Sequence, residues 1–574
     1  MCAIAGIAGE AHSDKEALVT NMLLSMKHRG PDHSEVRKVT DHLVLGHNRL
    51  SIIDLNALAN QPFVSEDGRY TLVFNGEIYN YTELKAQLLS DFSFRTNSDT
   101  EVLLAAYRKW SYDCLDRFMG MFAFAIWDSV ENLMFAARDR FGVKPFYYSR
   151  KENSFLFASE IKALWAAGVA RSRNQKVWSS FFVYGSYGMP DETFWQGIHQ
   201  LPGGHFLVFK EGKLQIKRWY NFEDRIRSIQ PDWKEASEAA IINRYVELLQ
   251  ESIALRFRAD VSVGFNVSGG LDSSLLLSLI KQSFPDNEEI HAFTFYTSNP
   301  AYDELPWVKA LMDTTSYPLH AVRLQAADVP AMAEEMALQQ DEHFGGLPTL
   351  AYALLFKEAR KQNTIVLLDG QGMDEAWAGY DYYQSNSGSV VQGVSSSPVR
   401  PNVLTEDFRS LAEKPQYDAP FQEKLLNLQY RDLFFTKIPR TLRFNDRVSM
   451  KYSTELREPF LDHRLVEMAF ALPAQWKIRN GVGKYLLRKI ASQFVPDTIG
   501  LAPKRALQTP QREWLAHELR DWADEKIKQF ADHEGINRNV LLEEWNTYLT
   551  RGSDNSFYIW QFVNAALLGD EIMR

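Results

Sequence analysis

Two domains in series are predicted. The first is an α+β layered domain over residues 1–215. The second, over residues 216–574, is an α/β domain built on a parallel sheet and ending in a largely helical part. Three observations carry this reading. Before about Arg218 the apolar residues fall in short, strand-length runs bounded by turn residues, with few helices between them. After it, strand-like runs alternate with helical stretches, the pattern of a parallel sheet covered on both faces. From about Phe421 onward the periodicity is helical.

In chain order, Val44 to His47, Tyr70 to Phe74, Met121 to Trp127 and Leu133 to Ala137 read as strands. Lys15 to Met26 and Thr100 to Trp110 read as helices, with Ser98 and Asp99 at the cap of the second. In the second domain, Trp233 to Ala259 reads as one long helix. Val261 to Val267 alternates apolar and small or polar residues as a strand does, and a Gly-Gly turn then leads into an apolar helix over Ser273 to Ile280. Further strands are expected at His291 to Phe295, Leu319 to Leu324 and Thr364 to Leu368. Ser385 to Asn402, rich in Ser, Gly and Val, reads as a mobile loop.

Composition narrows the function classes. The 574 residues carry 63 Lys plus Arg against 73 Asp plus Glu, a net charge of −10, which argues against a protein that coats nucleic acid. A hydrophobic fraction of 45% with 24% charged residues is that of an ordinary globular chain. Two cysteines, Cys2 and Cys114, exclude a disulfide scaffold or a Cys-rich zinc module. No apolar run reaches membrane-spanning length and the N-terminus lacks a signal-peptide pattern, so a reducing cytoplasm is expected.

Cys2 is the first chemical signal. Removing Met1 would leave a thiol and an α-amine on one residue, the amine titrating near neutrality at about 7.7–8.0 and able to accept the thiol proton. Taken alone, Cys2 reads more readily as a small buried core residue, and Cys114, with no motif around it, reads as core. Asn75-Gly76 offers a side-chain amide and a backbone N–H to a developing oxyanion, or else forms an Asn-Gly hairpin turn. Arg49 suits a substrate carboxylate, and Asp99 suits an ammonium group or a helix cap. Together Cys2, His28 to Asp32, Arg49-Leu50-Ser51, Asn75-Gly76-Glu77, Ser98 to Glu101 and Arg138 to Gly142 resemble the N-terminal-nucleophile glutaminase domain of class II glutamine amidotransferases, in order and over nearly the first 210 residues. The resemblance implies that Cys2 attacks the glutamine amide and releases ammonia. It also implies that Asn75 and Gly76 hold the oxyanion and that Arg49, Asn75, Glu77 and Asp99 bind glutamine.

In the second half, Ser268-Gly269-Gly270-Leu271-Asp272-Ser273-Ser274 joins a strand to a helix. Its glycines allow close backbone approach, and the helix start offers N–H groups to an anion. The Walker A pattern is absent. The heptapeptide resembles the pyrophosphate loop of ATP pyrophosphatases, enzymes that split ATP between its α and β phosphates. Asp369 to Glu375 follows another strand, Arg443 to Asp462 is rich in paired charges, and Lys484 and Lys504 sit in basic segments. With the first half, these segments resemble glutamine-dependent asparagine synthetase almost end to end.

That resemblance implies an α+β N-terminal-nucleophile glutaminase domain followed by an α/β ATP-pyrophosphatase domain. The two would use glutamine, ATP and Mg2+ to turn aspartate into asparagine, with AMP and pyrophosphate as products. Ser268, Gly269, Gly270, Leu271, Asp272, Ser273, Ser274, Phe295, Asp369, Gly370 and Lys484 would bind ATP or pyrophosphate. Asp272 and Asp374 would hold the metal, and Asp374 and Lys504 would act in catalysis. A homodimer is compatible with the family; nucleic-acid and membrane partners are not expected.

The second motif departs from the S-G-E-G-S-D-E of the best-known asparagine synthetases, reading Asp369-Gly370-Gln371-Gly372-Met373-Asp374-Glu375. Gly345-Gly346-Leu347-Pro348 also stands where those enzymes carry an arginine. Asp369 would set a negative charge beside a dianionic aspartate, at a cost of order 1–4 kcal/mol. A hydroxyl-rich acid such as a sugar uronic acid would instead find hydrogen-bond partners in Asp369 and Gln371. Aspartate is the expected acceptor, with such an acid as the alternative. A plain glutaminase with a degenerate second half is disfavoured because the Ser268 to Ser274 loop, Asp374 and Lys504 remain. A ring-closing synthetase is disfavoured because Cys2 remains.

Overall fold

The computed structural model describes residues 2–9, 14–151, 153–285, 287–297, 299–384, 397–495, 509–551 and 555–572. The first part is a four-layer stack of helices and two antiparallel sheets. One sheet joins β1 (Ala3–Ala8), β2 (His33–Thr40), β3 (Leu43–Arg49), β8 (Tyr147–Lys151), β9 (Ser154–Ala158) and β10 (Ile198–Gln200) in the order β10-β8-β9-β1-β3-β2. The other joins β4 (Phe63–Val64), β5 (Tyr70–Ile78), β6 (Gly120–Asp128), β7 (Leu133–Arg138), β11 (His205–Lys210) and β12 (Lys213–Arg218) in the order β12-β11-β7-β6-β5-β4.

The period-two alternation of the strands explains the stack. Ile4 and Ala8 of β1, with Leu43 and Leu45 of β3, pack between the sheets against Val73, Ala123 and Ala136. Ala3, Ala5 and Ile7 face the other way, onto Val19, Met22 and Leu23 of α1 (Lys15–Ser25). On the outer face of the second sheet, Leu72, Phe74 and Phe124 meet Val102, Leu103 and Ala106 of α2 (Asp99–Trp110). Cys114 is fully buried in that same cluster.

The expected single helix over Trp233 to Ala259 is two: α3 (Phe222–Lys234) and α4 (Glu238–Arg256). Ser237 breaks them, because its hydroxyl accepts the Ala240 N–H and starts a new helix. The third sheet follows, with β13 (Val263–Asn266), β14 (Ala292–Tyr296), β15 (Leu319–Arg323), β16 (Val366–Leu368) and β17 (Glu455–Arg457) all parallel in the order β15-β14-β13-β16-β17. Val366 and Leu368 point to one face, against Leu249 and Ile253 of α4 and Leu276 and Ile280 of α5 (Leu271–Ser283). Leu367 points to the other, against Leu350 and Phe356 of α6 (Gly346–Lys361). A parallel strand buried on both faces is why these segments read as continuous apolar runs.

The α7 helix (Lys437–Lys451) and the C-terminal helices α8 (Arg520–Ala531), α9 (Arg538–Arg551) and α10 (Phe557–Ile572) complete the second part. Of the expected loop over Ser385 to Asn402, residues 385–396 lie outside the described residues, and Pro401–Val403 is a short 3-10 turn.

The two parts are joined by buried ions. Arg29, 0% exposed, donates to both carboxylate oxygens of Asp446 on α7 at 2.8 and 3.1 Å, to Glu160 at 2.9 Å and to the Cys2 carbonyl at 3.1 Å. Removing one partner of such a cluster leaves the others buried and uncompensated. Arg29→Leu is therefore expected to destabilise the chain by about 3–5 kcal/mol, read as a lowered urea midpoint. A loss below ~1 kcal/mol would show that the pair does not hold the two parts together.

Candidate functional site

The structure gathers two separate constellations. Around Cys2, the start of β1 lies beside β3 and the middle of β5. The main-chain nitrogen of Cys2, a free amine once Met1 is removed, donates to Asn75 Oδ1 at 3.0 Å, and its Sγ lies 3.9 Å from the Leu50 carbonyl. Burial raises the thiol pKa, while the Leu50 contact and the Arg49 charge oppose that rise. With its oxygen committed to Cys2, Asn75 keeps a buried Nδ2 that has no hydrogen-bond partner among the described residues. An orphaned donor of this kind is costly to bury unless something arrives to accept from it.

Asn75-Gly76 forms no hairpin turn, since both residues lie inside β5, opposite Ala123 and Phe122 of β6. Gly76 takes φ +150°, and a Cβ there would meet the Met121 carbonyl at 2.1 Å, so only glycine fits.

Asp99 is not the cap of α2. Ser98 caps it through the Thr100 N–H, and Asp99 Oδ2 instead accepts the Ile78 N–H at 2.9 Å. Arg49 donates to the carbonyls of Asn56 (2.9 Å) and Asp54 and to Asn60 Oδ1 (2.7 Å), and pairs with no carboxylate among the described residues, so its charge is held in place but not neutralised. Glu77 is buried with Oε2 3.7 Å from the Arg457 guanidinium, and its pKa is raised by burial first and then by Glu455 and Asp99.

The second constellation sits at the C-terminal ends of β13 and β16. The strand order reverses between these two, where open parallel sheets form a ligand crevice. The loop after β13 is folded onto itself: Ser273 Oγ accepts the Ser268 N–H at 3.1 Å, and Ser274 Oγ donates to the Gly270 carbonyl at 2.7 Å. Gly269 N–H reaches Glu304 Oε2 at 3.2 Å, a contact with a residue that no motif singled out.

Lys484 is the centre of this site. Its Nζ lies 2.6 and 2.8 Å from the two oxygens of Asp272 and 2.7 Å from Asp374, uniting three segments distant in sequence. Burial disfavours its charge, but Asp272 and Asp374 outweigh burial and raise its pKa. Gly379 makes the cluster possible, because a Cβ there would meet Asp374 Oδ1 at 2.0 Å and Lys484 Cε at 2.4 Å.

Asp369, after β16, is buried with its pKa raised by burial. It accepts from Gly370 N–H at 2.8 Å and from the Tyr352 hydroxyl at 3.0 Å. Glu375 is pushed up to about 7 by burial and by Asp374. Phe295 lies half-buried near the end of β14. Lys504 lies outside the described residues.

For a magnesium ion, the donor set is right in kind: two carboxylates, Asp272 and Asp374, converge on one cation position, taken here by the Lys484 ammonium, which would have to give way to the ion. Among the described residues no third His, Cys, Asp or Glu joins them, so remaining ligands would come from phosphate oxygens or water. The charged segment Arg443 to Asp462 lies mostly between the two sites. Besides Asp446 on Arg29, Arg457 binds Glu455 at 2.7 Å and the carbonyls of Arg256 and Arg258 at 2.6 and 2.8 Å. The sequence showed these charges but not their partners.

Residues 1–220 match the family described as a glutamine amidotransferase domain, and residues 244–569 match the asparagine synthase family. The asparagine synthetase [glutamine-hydrolyzing] 3 of Bacillus subtilis (strain 168) is 31% identical over 87% of this chain and 85% of its own length. The asparagine synthetase [glutamine-hydrolyzing] 1 of the same organism is 28% identical over 98% and 95%. The amidase chry2 of Gibberella zeae is 27% identical over 94% and 90%.

Asp99 makes the first site sensitive to pH. Burial pushes its carboxyl from 3.8 up to about 6, so the folded chain binds this proton more tightly than the unfolded chain. The resulting stabilisation is complete below pH 3.8 and is lost as the pH rises through about 6. Comparing urea unfolding of wild type and Asp99→Asn across that window should show the wild type losing on the order of 3 kcal/mol more. Parallel curves would mean that Asp99 ionises freely in the folded chain.

Proposed function

On the premise that the chain belongs to the asparagine synthase family and carries a glutamine amidotransferase domain, and so is an ATP-dependent, glutamine-hydrolysing ligase for a carboxylate, we propose the following roles. The boundary between the two functional domains, expected at residues 215 and 216, is proposed to fall just after β12, which runs on to Arg218. In the first domain the α-amine of Cys2 takes the thiol proton and Sγ attacks the side-chain amide carbon of glutamine. Asn75 Nδ2 and the Gly76 N–H receive the oxyanion, each such donor being worth roughly 3 kcal/mol. Arg49, Glu77 and Asp99 hold the amino acid. Ammonia leaves, and water hydrolyses the thioester.

In the second domain the Ser268 to Ser274 loop holds the pyrophosphate end of ATP. The acceptor carboxylate attacks the α-phosphorus and pyrophosphate departs. Ammonia, carried through the protein, attacks the activated carbonyl and AMP leaves. Lys484 stabilises charge on the leaving phosphates, and Lys504 supports the adenylate. Asp272 and Asp374 would hold Mg2+, which when bound neutralises phosphate oxygens. The observation that carries this reading is the convergence of Asp272, Asp374 and Lys484 at the sheet's switch point. A reducing cytoplasm suits the free Cys2 thiol.

Two acceptors are in play. Aspartate, yielding asparagine, follows from the family. A different carboxylate, such as a sugar uronic acid, is favoured by Asp369, whose buried carboxyl stands beside the site where the acceptor must enter.

The roles separate by substitution. Cys2→Ala is expected to abolish glutamine-supported AMP formation while ammonium-supported formation continues. Lys484→Met is expected to lower AMP formation at least about a hundredfold from either nitrogen source. Measuring AMP and glutamate together checks both, and undiminished AMP from Lys484→Met would contradict the assignment.

A further inference from the structure

A cavity of about 940 Å³ opens beside the second site. Its lining includes Tyr352, whose hydroxyl donates to Asp369 at 3.0 Å, and Gln371, two residues beyond Asp369. It therefore reaches the turn from Asp369 to Gln371 at the edge of the second site. A void of this size is at the upper end of the roughly 300–1,000 Å³ that encloses drug-sized ligands, and free aspartate would fill only a fraction of it.

The lining is aromatic and cationic. The guanidinium groups of Arg440 and Arg443 flank one ring, that of Tyr187, at 5.4 and 5.7 Å. Arg443 has Glu342 at 3.3 Å, but that carboxylate also serves Arg447 at 3.4 Å. Arg440 pairs with no carboxylate among the described residues. The carboxylate on the wall, Glu192, is already paired with Lys176. Positive charge is thus in excess. An unneutralised guanidinium beside a large void describes a site built for an anion. Aromatic walls beside it suit the apolar face of a ring.

We propose that the acceptor is a sugar acid carrying a phosphate: its hydroxyls meet Asp369 and Gln371, its carboxylate turns toward the Ser268 to Ser274 loop, its ring packs on Tyr187 and neighbouring aromatics, and its phosphate is held by Arg440 and Arg443. This rests on the ligase reading above, in its second form. The chemistry is unchanged: the carboxylate oxygen bonds to the α-phosphorus as pyrophosphate leaves, then the ammonia nitrogen bonds to the carbonyl carbon as AMP leaves with the C–O electron pair and a proton goes to water.

The test uses the full chain with ATP, Mg2+ and ammonium, so that glutamine hydrolysis does not enter. Glucuronic acid 1-phosphate, UDP-glucuronic acid, glucuronic acid and aspartate are each assayed for AMP release and titrated calorimetrically. At least one phosphorylated acid is expected to bind and to support AMP release better than glucuronic acid or aspartate. The first probe reports a bare phosphate and the second a nucleotide-linked one. Arg440→Ala is expected to raise its KM about tenfold or more with little change in kcat, and Arg440→Lys to recover part of that loss. Failure of both phosphorylated acids to bind, or aspartate-dependent AMP release with a KM unmoved by Arg440→Ala, would overturn the proposal. Aspartate turnover would leave the ligase reading standing, whereas AMP release with no acid at all would remove that reading as well.

Discussion

One buried cation ties the two chemistries together. Arg457, on the edge strand of the parallel sheet, is fully buried, yet its guanidinium reaches 3.7 Å from Glu77 in the glutaminase sheet and 2.7 Å from Glu455. It also donates to two main-chain carbonyls at the end of α4. Without it, Glu77 and Glu455 would repel each other in a dry interior. Lys144 adds a second buried cation that bonds the Leu456 carbonyl at 3.4 Å on the same strand. Buried ions of this kind do little for net stability but demand one arrangement of their partners. Here they fix the surroundings of Glu77 relative to the parallel sheet.

The geometry of the second site follows from strand order. With β13 flanked by β14 and β16, the loops after β13 and β16 open on the same crevice, one bringing Asp272 and the other Asp374. Lys484 then closes the crevice from a later segment, and Gly379 leaves room for it. The cation position between the two acids is thus a product of topology, with side chains selected to occupy it.

Much of this was legible because the chemistry is local in sequence. The Ser268 to Ser274 turn between strand and helix, the apolar run Val44 to His47 and the alternation over Val261 to Val267 carry their meaning within a few residues. The break at Ser237 was hidden because helical periodicity runs straight through it. The double role of Asp99 next to a capping serine could not be separated by pattern alone. Arg29 and Asp446 are 417 residues apart, so nothing short-range could pair them. Asp369 departs visibly from the family motif, but the cavity near it is assembled from the loop after Tyr184, from α6, from α7 and from α10, and has no motif of its own.

The central claim is that nitrogen released at Cys2 ends in an amide made at the ATP site. The most direct test gives the enzyme glutamine labelled with ¹⁵N in its side-chain amide, together with ATP, Mg2+ and a turned-over acid, in excess unlabelled ammonium, and reads the product by mass. The account predicts one AMP per amide, with ¹⁵N in the amide well above its share of the bulk ammonium pool. Labelled ammonia released to solvent, with no ATP-dependent amide formed, would contradict it.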